Sequence, residues 1–108
     1  MFSRYNREME YNKLVRDKIP EIIAGKGETA ETRTASPEEY WLKLKEKLSE
    51  EVAEFKTAEN QEELADILEV IDAIIAHKGF NPEEIQRIQT EKATERGRFE
   101  KRIILVSS

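Results

Sequence analysis

Apolar residues recur at helical spacing in two stretches in the middle of the chain. The first stripe consists of Trp41, Leu44, Leu48, Val52 and Phe55. The second and wider stripe consists of Leu64, Ile67, Leu68, Ile71, Ile74 and Ile75. Because an α-helix turns once in about 3.6 residues, side chains at these spacings lie on one face of a helix. The pattern therefore predicts two amphipathic helices that pack through their apolar faces.

Capping residues mark where these helices begin and predict a third helix. Ser36 and Asn81 each precede a proline, so each supplies a capping side chain before a residue suited to the first turn. Asn60 offers the same kind of cap to the second helix, and Gly79 follows its last, basic turn. The predicted helices span 37–58, 61–78 and 82–100.

A shorter helix is predicted near the start of the chain. Asp17 can cap it, Pro20 falls within the first turn, where proline is tolerated, and Gly25 and Gly27 end it. Residues 1–10 are polar and mixed in charge, which predicts a flexible extension and not a signal peptide.

Two other segments have the composition of short strands. The polar, threonine-rich stretch 28–35 reads as a loop or a strand, and the apolar run 103–106 could pair with it as a two-stranded ribbon. Apart from that ribbon, the expected fold is all-α: an antiparallel helical hairpin with a third helix. With 108 residues the chain suffices for a single domain, 1–108, with a small core, so we expect oligomerisation to complete the bundle.

Composition excludes several classes of function. The 18 basic and 23 acidic residues give a net charge of −5, which argues against duplex nucleic acid as the main partner. Cysteine is absent, so disulfides, zinc–thiolate sites and thiol nucleophiles are excluded. No apolar run approaches the roughly 18 residues of a membrane helix. We therefore expect a soluble, cytoplasmic protein with no membrane partner.

Four carboxylates near the predicted hairpin suggest a metal site. Glu51 and Glu54 are spaced i, i+3 late in the first long helix, and Glu63 and Asp66 repeat that spacing early in the second. A short link makes the helices antiparallel, so Glu51 should face Asp66 and Glu54 should face Glu63. Oxygen ligands gathered in this way suit a hard cation such as Mg²⁺ or Mn²⁺.

Simpler interpretations of these acidic residues remain open. Glu63 occupies the position of a capping-box glutamate, so its carboxylate could bond the Asn60 N–H instead. With 23 acidic residues in 108, loose four-carboxylate patterns also arise by chance. Glu50, Glu69 and Asp72 are more simply read as part of a solvated face.

Basic residues offer candidate phosphate ligands. On the third predicted helix Lys92 and Arg96 continue a stripe that begins with apolar residues. A second basic cluster, around Arg16, precedes the first long helix, with Lys13 and Lys18 beside it. Each group could bind phosphate oxygens through charge-assisted hydrogen bonds or could simply be solvated.

The acidic pattern resembles that of a known superfamily. The segments 50–54 (EEVAE) and 63–66 (ELAD) are similar to the EExxE…ExxD motif of the all-α nucleoside triphosphate pyrophosphohydrolases, which include the MazG-like proteins. Residues 11–23 (YNKLVRDKIPEII) and 91–105 (EKATERGRFEKRIIL) resemble the small members described as phosphoribosyl-ATP pyrophosphohydrolase-like. The resemblance thus extends from residue 11 to 106, with a short interval of eight residues between the two acidic motifs.

This resemblance implies a fold, a reaction and a set of residue roles. It implies a helical homodimer or homotetramer that binds Mg²⁺ and cleaves the α–β phosphoanhydride of a nucleotide, releasing a monophosphate and pyrophosphate. The implied metal ligands are Glu51, Glu54, Glu63 and Asp66. Glu50 or Glu54 would accept the proton of the attacking water. Phosphate contacts would come from Arg16, Lys92 and Arg96.

Two alternatives to this function are retained. The chain could be a non-catalytic helical oligomerisation or regulatory module that keeps the acidic pattern. It could instead act on phosphoribosyl-ATP itself in histidine biosynthesis.

Overall fold

The computed structural model describes residues 12–108, which form four α-helices. Their bounds are α1, Ile19–Gly25; α2, Pro37–Ala58; α3, Gln61–Lys78; and α4, Pro82–Arg96. No strand occurs in residues 12–108, so the expectation of an all-α fold is confirmed for this part of the chain. The extension predicted for residues 1–10 lies outside the described residues.

Local capping explains why α2 and α3 have the predicted bounds. The Ser36 hydroxyl accepts a hydrogen bond from the Glu39 N–H at 3.2 Å, and Asn60 Oδ1 accepts one from the Glu63 N–H at 3.0 Å. Between the helices Glu59 adopts a left-handed conformation with φ 53°, and its N–H donates to the Phe55 carbonyl at 2.8 Å. The resulting two-residue link makes the chain reverse direction abruptly.

The start of α1 differs from the prediction. Asp17 does not cap this helix; Lys18 occupies the capping position and makes no side-chain capping bond. The first amide is satisfied by the backbone instead, because the Ile19 N–H donates to the Arg16 carbonyl at 3.1 Å. Pro20 lies in the first turn and the helix ends at Gly25, as predicted.

The end of α4 and the expected ribbon also need correction. α4 ends at Arg96 and not at residue 100, because Gly97 takes a positive φ of 82°, a conformation outside the helical region. Neither 28–35 nor 103–106 is a strand, so the predicted ribbon is wrong. The four side chains of 103–106 are 77–89% exposed. An apolar composition favours a strand only when another strand is available for pairing.

The core is small and lies between α2 and α3. Among the described residues, Leu44 and Val70 are the buried apolar side chains, with 2% and 8% exposure. The rest of the α2 stripe is half-buried, as predicted. On α3 the buried position, Val70, lies outside the predicted stripe, so that helix is rotated relative to the expectation. Leu64, Leu68 and Ile71 are consequently 46%, 61% and 37% exposed.

The chain divides into two compact units, the first ending at Ile74 and the second beginning at Ile75. The first unit contains α1, α2 and most of α3, and the second contains α4 and the residues after it. Within residues 12–108, none of the helices combines the length and the apolar character that crossing a membrane requires.

Candidate metal centre

Three carboxylates meet where α2 and α3 run side by side. Glu51 on α2 and Glu63 and Asp66 on α3 each contribute one oxygen, and these oxygens all lie within 4.8 Å of one another. The two-residue link after Ala58 sets this register, because it places the last turns of α2 beside the first turns of α3. We call these three residues the acidic cluster.

Two oxygens of the acidic cluster are buried without a hydrogen-bond partner. They are Glu51 Oε1 and Glu63 Oε2. The Glu51 side chain is only 9% exposed, and its other oxygen lies 3.6 Å from Lys47 Nζ. A buried carboxylate oxygen without a partner loses its hydration and gains nothing in return, which is unfavourable. Such oxygens point to a missing proton or cation.

The pKa values of two carboxyls in the acidic cluster are raised, as expected where a proton or cation is missing. Burial raises the pKa of Glu51, and the negative charges of Glu54, Asp66 and Glu50 raise it further, while the Lys47 ammonium opposes them. The pKa of Glu63 is also raised, first by loss of hydration and then by the nearby charges of Glu54, Asp66 and Glu51. Both carboxyls therefore hold a proton more readily than an exposed glutamate.

Two cations from different parts of the chain lie beside the cluster. Arg16 Nη2 donates to Asp66 Oδ1 at 2.7 Å, although the two residues are 50 positions apart. Lys47 Nζ lies 3.4 Å from Glu50 and 3.6 Å from Glu51. Sequence reasoning did not single out Lys47; its i, i+3 and i, i+4 spacing to these glutamates was the available signal.

The two candidate proton acceptors have different surroundings. Glu50 is paired with Lys47 and also lies 3.7 Å from Lys13 Nζ. Glu54 is exposed and falls outside the three-residue cluster, yet it lines an open groove of about 520 Å³ together with Glu63. Its predicted role as a fourth metal ligand stays a prediction.

The residues present fit a divalent cation. Around Mg²⁺, with bonds of about 2.1 Å, adjacent ligands are roughly 3.0 Å apart and opposite ligands roughly 4.2 Å apart, so oxygens within 4.8 Å of one another could share one ion after the side chains move closer. Five carboxylates occupy this region, and Arg16, Lys47 and Lys13 supply three cations. When fully ionised, these carboxylates exceed the three cations by two negative charges, which one divalent ion would balance.

The capping-box interpretation of Glu63 finds no support in this geometry. Asn60 does cap α3, but none of the hydrogen bonds found in residues 12–108 joins the Asn60 N–H to the Glu63 carboxylate. The Glu63 side chain belongs to the acidic cluster instead.

Other candidate residues lie elsewhere. Glu69 and Asp72 are exposed on α3 and outside the acidic cluster, as the solvated-face interpretation predicts. Lys92 and Arg96 are exposed on α4 in the second unit, and their proposed contact with phosphate stays a prediction. Arg16 is engaged by Asp66, a contact that sequence reasoning did not anticipate.

Comparison with known proteins shows similarity over part of the chain. A segment of 49 residues is 51% identical to part of an uncharacterized protein of Mycolicibacterium smegmatis. The match covers 45% of this chain and 50% of the relative, so the chain spans about half the length of the protein it matches. No family model and no solved structure matches the chain.

Proposed function

We propose that the protein is a Mg²⁺-dependent nucleotide pyrophosphohydrolase with a MazG-like helical arrangement. The observation that carries the proposal is the acidic cluster, in which Glu51 is buried with one unpartnered oxygen and two further carboxylates lie close to it. An oxygen buried without a partner is rare in a purely structural ion-pair network, and a metal ion bound there would supply the missing partner. The resemblance to the EExxE…ExxD motif supplies the reaction class.

In this proposal Glu51, Glu63 and Asp66, with Glu54 as a fourth ligand, hold Mg²⁺, and Mn²⁺ could replace it. When bound, the ion neutralises phosphate oxygens and makes a bound water more acidic. Water attacks the α-phosphorus, the bond from that phosphorus to the bridging oxygen breaks, and pyrophosphate leaves. An oxygen of Glu54 that does not bind the ion is better placed than Glu50 to accept the proton, since Glu50 already pairs with two lysines.

Arg16 has a second role in the proposed reaction. It is bonded to Asp66 at 2.7 Å but remains 57% exposed, so its guanidinium has donors left for a phosphate. The assignment of further phosphate contacts to Lys92 and Arg96 rests on the sequence pattern alone and stays a prediction. The proposed substrate is a nucleoside triphosphate or a related nucleotide.

The proposed test measures pyrophosphate release from a panel of nucleoside triphosphates with and without Mg²⁺. Release that requires Mg²⁺ and yields the monophosphate supports the proposal. Adding phosphoribosyl-ATP to the panel distinguishes a histidine-biosynthesis enzyme, for which that compound would be strongly preferred. The absence of release from every compound at saturating Mg²⁺ and Mn²⁺ would refute a hydrolytic role.

A non-catalytic oligomerisation module is the second candidate. It is favoured by the exposed apolar side chains of α3, namely Leu64, Leu68 and Ile71. Both candidates include a homodimer or homotetramer, since these side chains need a partner to be buried.

Light scattering tests the oligomer directly. We expect at least twice the chain mass of 12.6 kDa at micromolar concentration. Leu68→Glu should shift the protein toward the monomer, because it places a charge on the apolar face of α3. Lys78→Glu, a charge change at the end of the same helix, serves as the control. A wild-type monomer would contradict the expected assembly.

A further inference from the structure

The segment that follows α4 is unusually basic for an acidic protein. Residues 96–102, which we call the basic turn, read RGRFEKR and contain four cations and one carboxylate. The whole chain has 18 basic and 23 acidic residues. The basic turn therefore concentrates positive charge against the overall balance.

The cations of the basic turn are unpaired within residues 12–108, unlike several arginines elsewhere in the chain. None of its four basic side chains forms an ion pair there. By contrast Arg16 pairs with Asp66, and Arg33 pairs with Glu39 at 2.6 Å. On α4 itself, Arg87 pairs with two glutamates.

The backbone brings three of these cations around one cavity. Gly97, with φ 82°, ends α4 and lets the chain turn. Arg102, with φ 55°, donates its N–H to the Phe99 carbonyl at 3.3 Å, which closes the turn. A cavity of about 320 Å³ results, lined by Arg96, Gly97, Arg98, Glu100, Lys101 and Ile103.

We infer that the cavity of the basic turn binds a small molecule through its diphosphate group. Three cations and one carboxylate line it, so the lining has a net charge of two positive units that matches most of the charge of a diphosphate. Guanidinium forks form paired hydrogen bonds with phosphate oxygens, and a lysine adds a compact charge. The volume lies at the lower end of the roughly 300–1,000 Å³ of ligand pockets, which suits a compact anion.

The dipole of α4 does not explain the whole arrangement. The C-terminal end of a helix favours cations in its last turn, which accounts for Arg96. Arg98 and Lys101 lie beyond the capping residue, where that effect has faded, and yet they line the same cavity. A bound anion accounts for all three.

This inference is independent of the proposed hydrolysis. The lining residues all belong to the second unit and include none of the acidic cluster. Arg96 alone is also assigned to phosphate binding in the proposed reaction, so the test uses Arg98 and Lys101.

The test is calorimetric titration of the full-length protein with inorganic pyrophosphate in EDTA, which removes divalent cations. Changing Arg98→Gln together with Lys101→Gln should weaken binding at least tenfold. Arg87→Gln removes the same kind of charge from a paired position and should change the affinity less than twofold. Arg98→Lys keeps the charge but loses the fork, so an intermediate loss is expected. Glu51→Gln should bind pyrophosphate as tightly as the wild type, which separates this site from the acidic cluster.

Further titrations distinguish the possible sources of the diphosphate group. A nucleoside diphosphate that binds more tightly than pyrophosphate indicates a nucleotide, and the reverse order indicates pyrophosphate itself. An equal loss in Arg87→Gln, or binding abolished by a matched ionic strength of NaCl, would mean general charge attraction and overturn the site. Absence of binding, or tight binding only of a single-stranded oligonucleotide, would overturn it as well.

Discussion

The helical hairpin of α2 and α3 and the segment formed by α4 and the basic turn use charge in different ways. The hairpin has local ion pairs, such as those of Lys47, but it also pairs with a distant part of the chain through Arg16 and Asp66, and it buries a carboxylate. On α4 no residue is buried, and Arg87 pairs with Glu84 and Glu91 on the same helix. Carboxylates gather in the first region, and cations gather in the second.

The comparison indicates when a group of charged residues can form a binding site. On α4 opposite charges follow each other at i+3 and i+4, so they neutralise one another locally. In the hairpin the facing helices both present carboxylates at the same level, and neither can neutralise the other. Such a region needs a cation from elsewhere. Register across two helices therefore carries more information about a site than composition within one helix.

The largest expected effect is on turnover. Glu51→Gln and Asp66→Asn should each lower the pyrophosphohydrolase rate by about 10²-fold or more, since each removes a proposed ligand. Glu84→Gln, which breaks a pair on α4, should leave the rate within about twofold. Steady-state rates measured at saturating Mg²⁺ test this prediction. A near-wild-type rate for either cluster variant would contradict the ligand assignment.

A smaller effect is expected on thermal stability. Mg²⁺ at a hundredfold excess over Kd stabilises the native state by about 2.7 kcal/mol, which corresponds to roughly 10–20 °C in a domain of this size. Glu84→Gln should keep this shift, and Glu51→Gln should lose most of it. Melting curves in NaCl of equal ionic strength provide the control. Equal shifts in NaCl and Mg²⁺ would mean that the hairpin behaves as a solvated acidic face.

The next effect concerns pH in metal-free protein. Burial raises the pKa of Glu51, and the nearby carboxylates raise it further despite the opposing charge of Lys47. The native state therefore binds a proton on the Glu51 carboxyl more tightly than the unfolded state does. Its contribution to stability is fully present below the unfolded pKa and is lost as the pH rises through the folded pKa. Glu51→Gln should thus be more stable than wild type at pH 7, and this advantage should shrink toward pH 4.5. A constant difference across denaturation curves in that range would contradict the burial of the charge.

The smallest effect compares the two capping asparagines. Asn60→Ala and Asn81→Ala should each lower the stability of their own helix by about 1 kcal/mol. Only Asn60→Ala should also weaken Mg²⁺ binding in calorimetry, because Asn60 caps the helix that carries Glu63 and Asp66. Equal Mg²⁺ affinity in both variants would show that the hairpin link does not set the register of the cluster.

Local signals made the helices of both regions predictable from the sequence. The side chains of Ser36 and Asn60 each accept a hydrogen bond from the backbone N–H three residues later. The starts of α2 and α3 can therefore be predicted from neighbouring residues. The facing of Glu51 and Asp66 followed from the short link. Val70 and the Arg16–Asp66 pair could not be predicted, because each depends on how a helix is rotated against segments distant in sequence.

The same reasoning explains the wrong predictions. Asp17 has a typical capping side chain, but the Arg16 carbonyl already satisfies the first amide of α1. The run 103–106 has a strand-like composition without a strand to pair with. Both local signals were real. In α1 a backbone carbonyl replaced the predicted capping side chain, and the run 103–106 has no partner strand within residues 12–108.

The pair between Arg16 and Asp66 also has a consequence for the order of assembly during synthesis. Glu51 and Asp66 are 15 residues apart, whereas Arg16 lies 50 residues before Asp66. Closing the longer loop costs about 1 kcal/mol more in chain entropy. Arg16 is translated first, but its partner Asp66 is not in place until α3 has been made and has folded back on α2. We therefore expect this arginine, the earliest residue of the candidate site to be synthesised, to be the last one to dock.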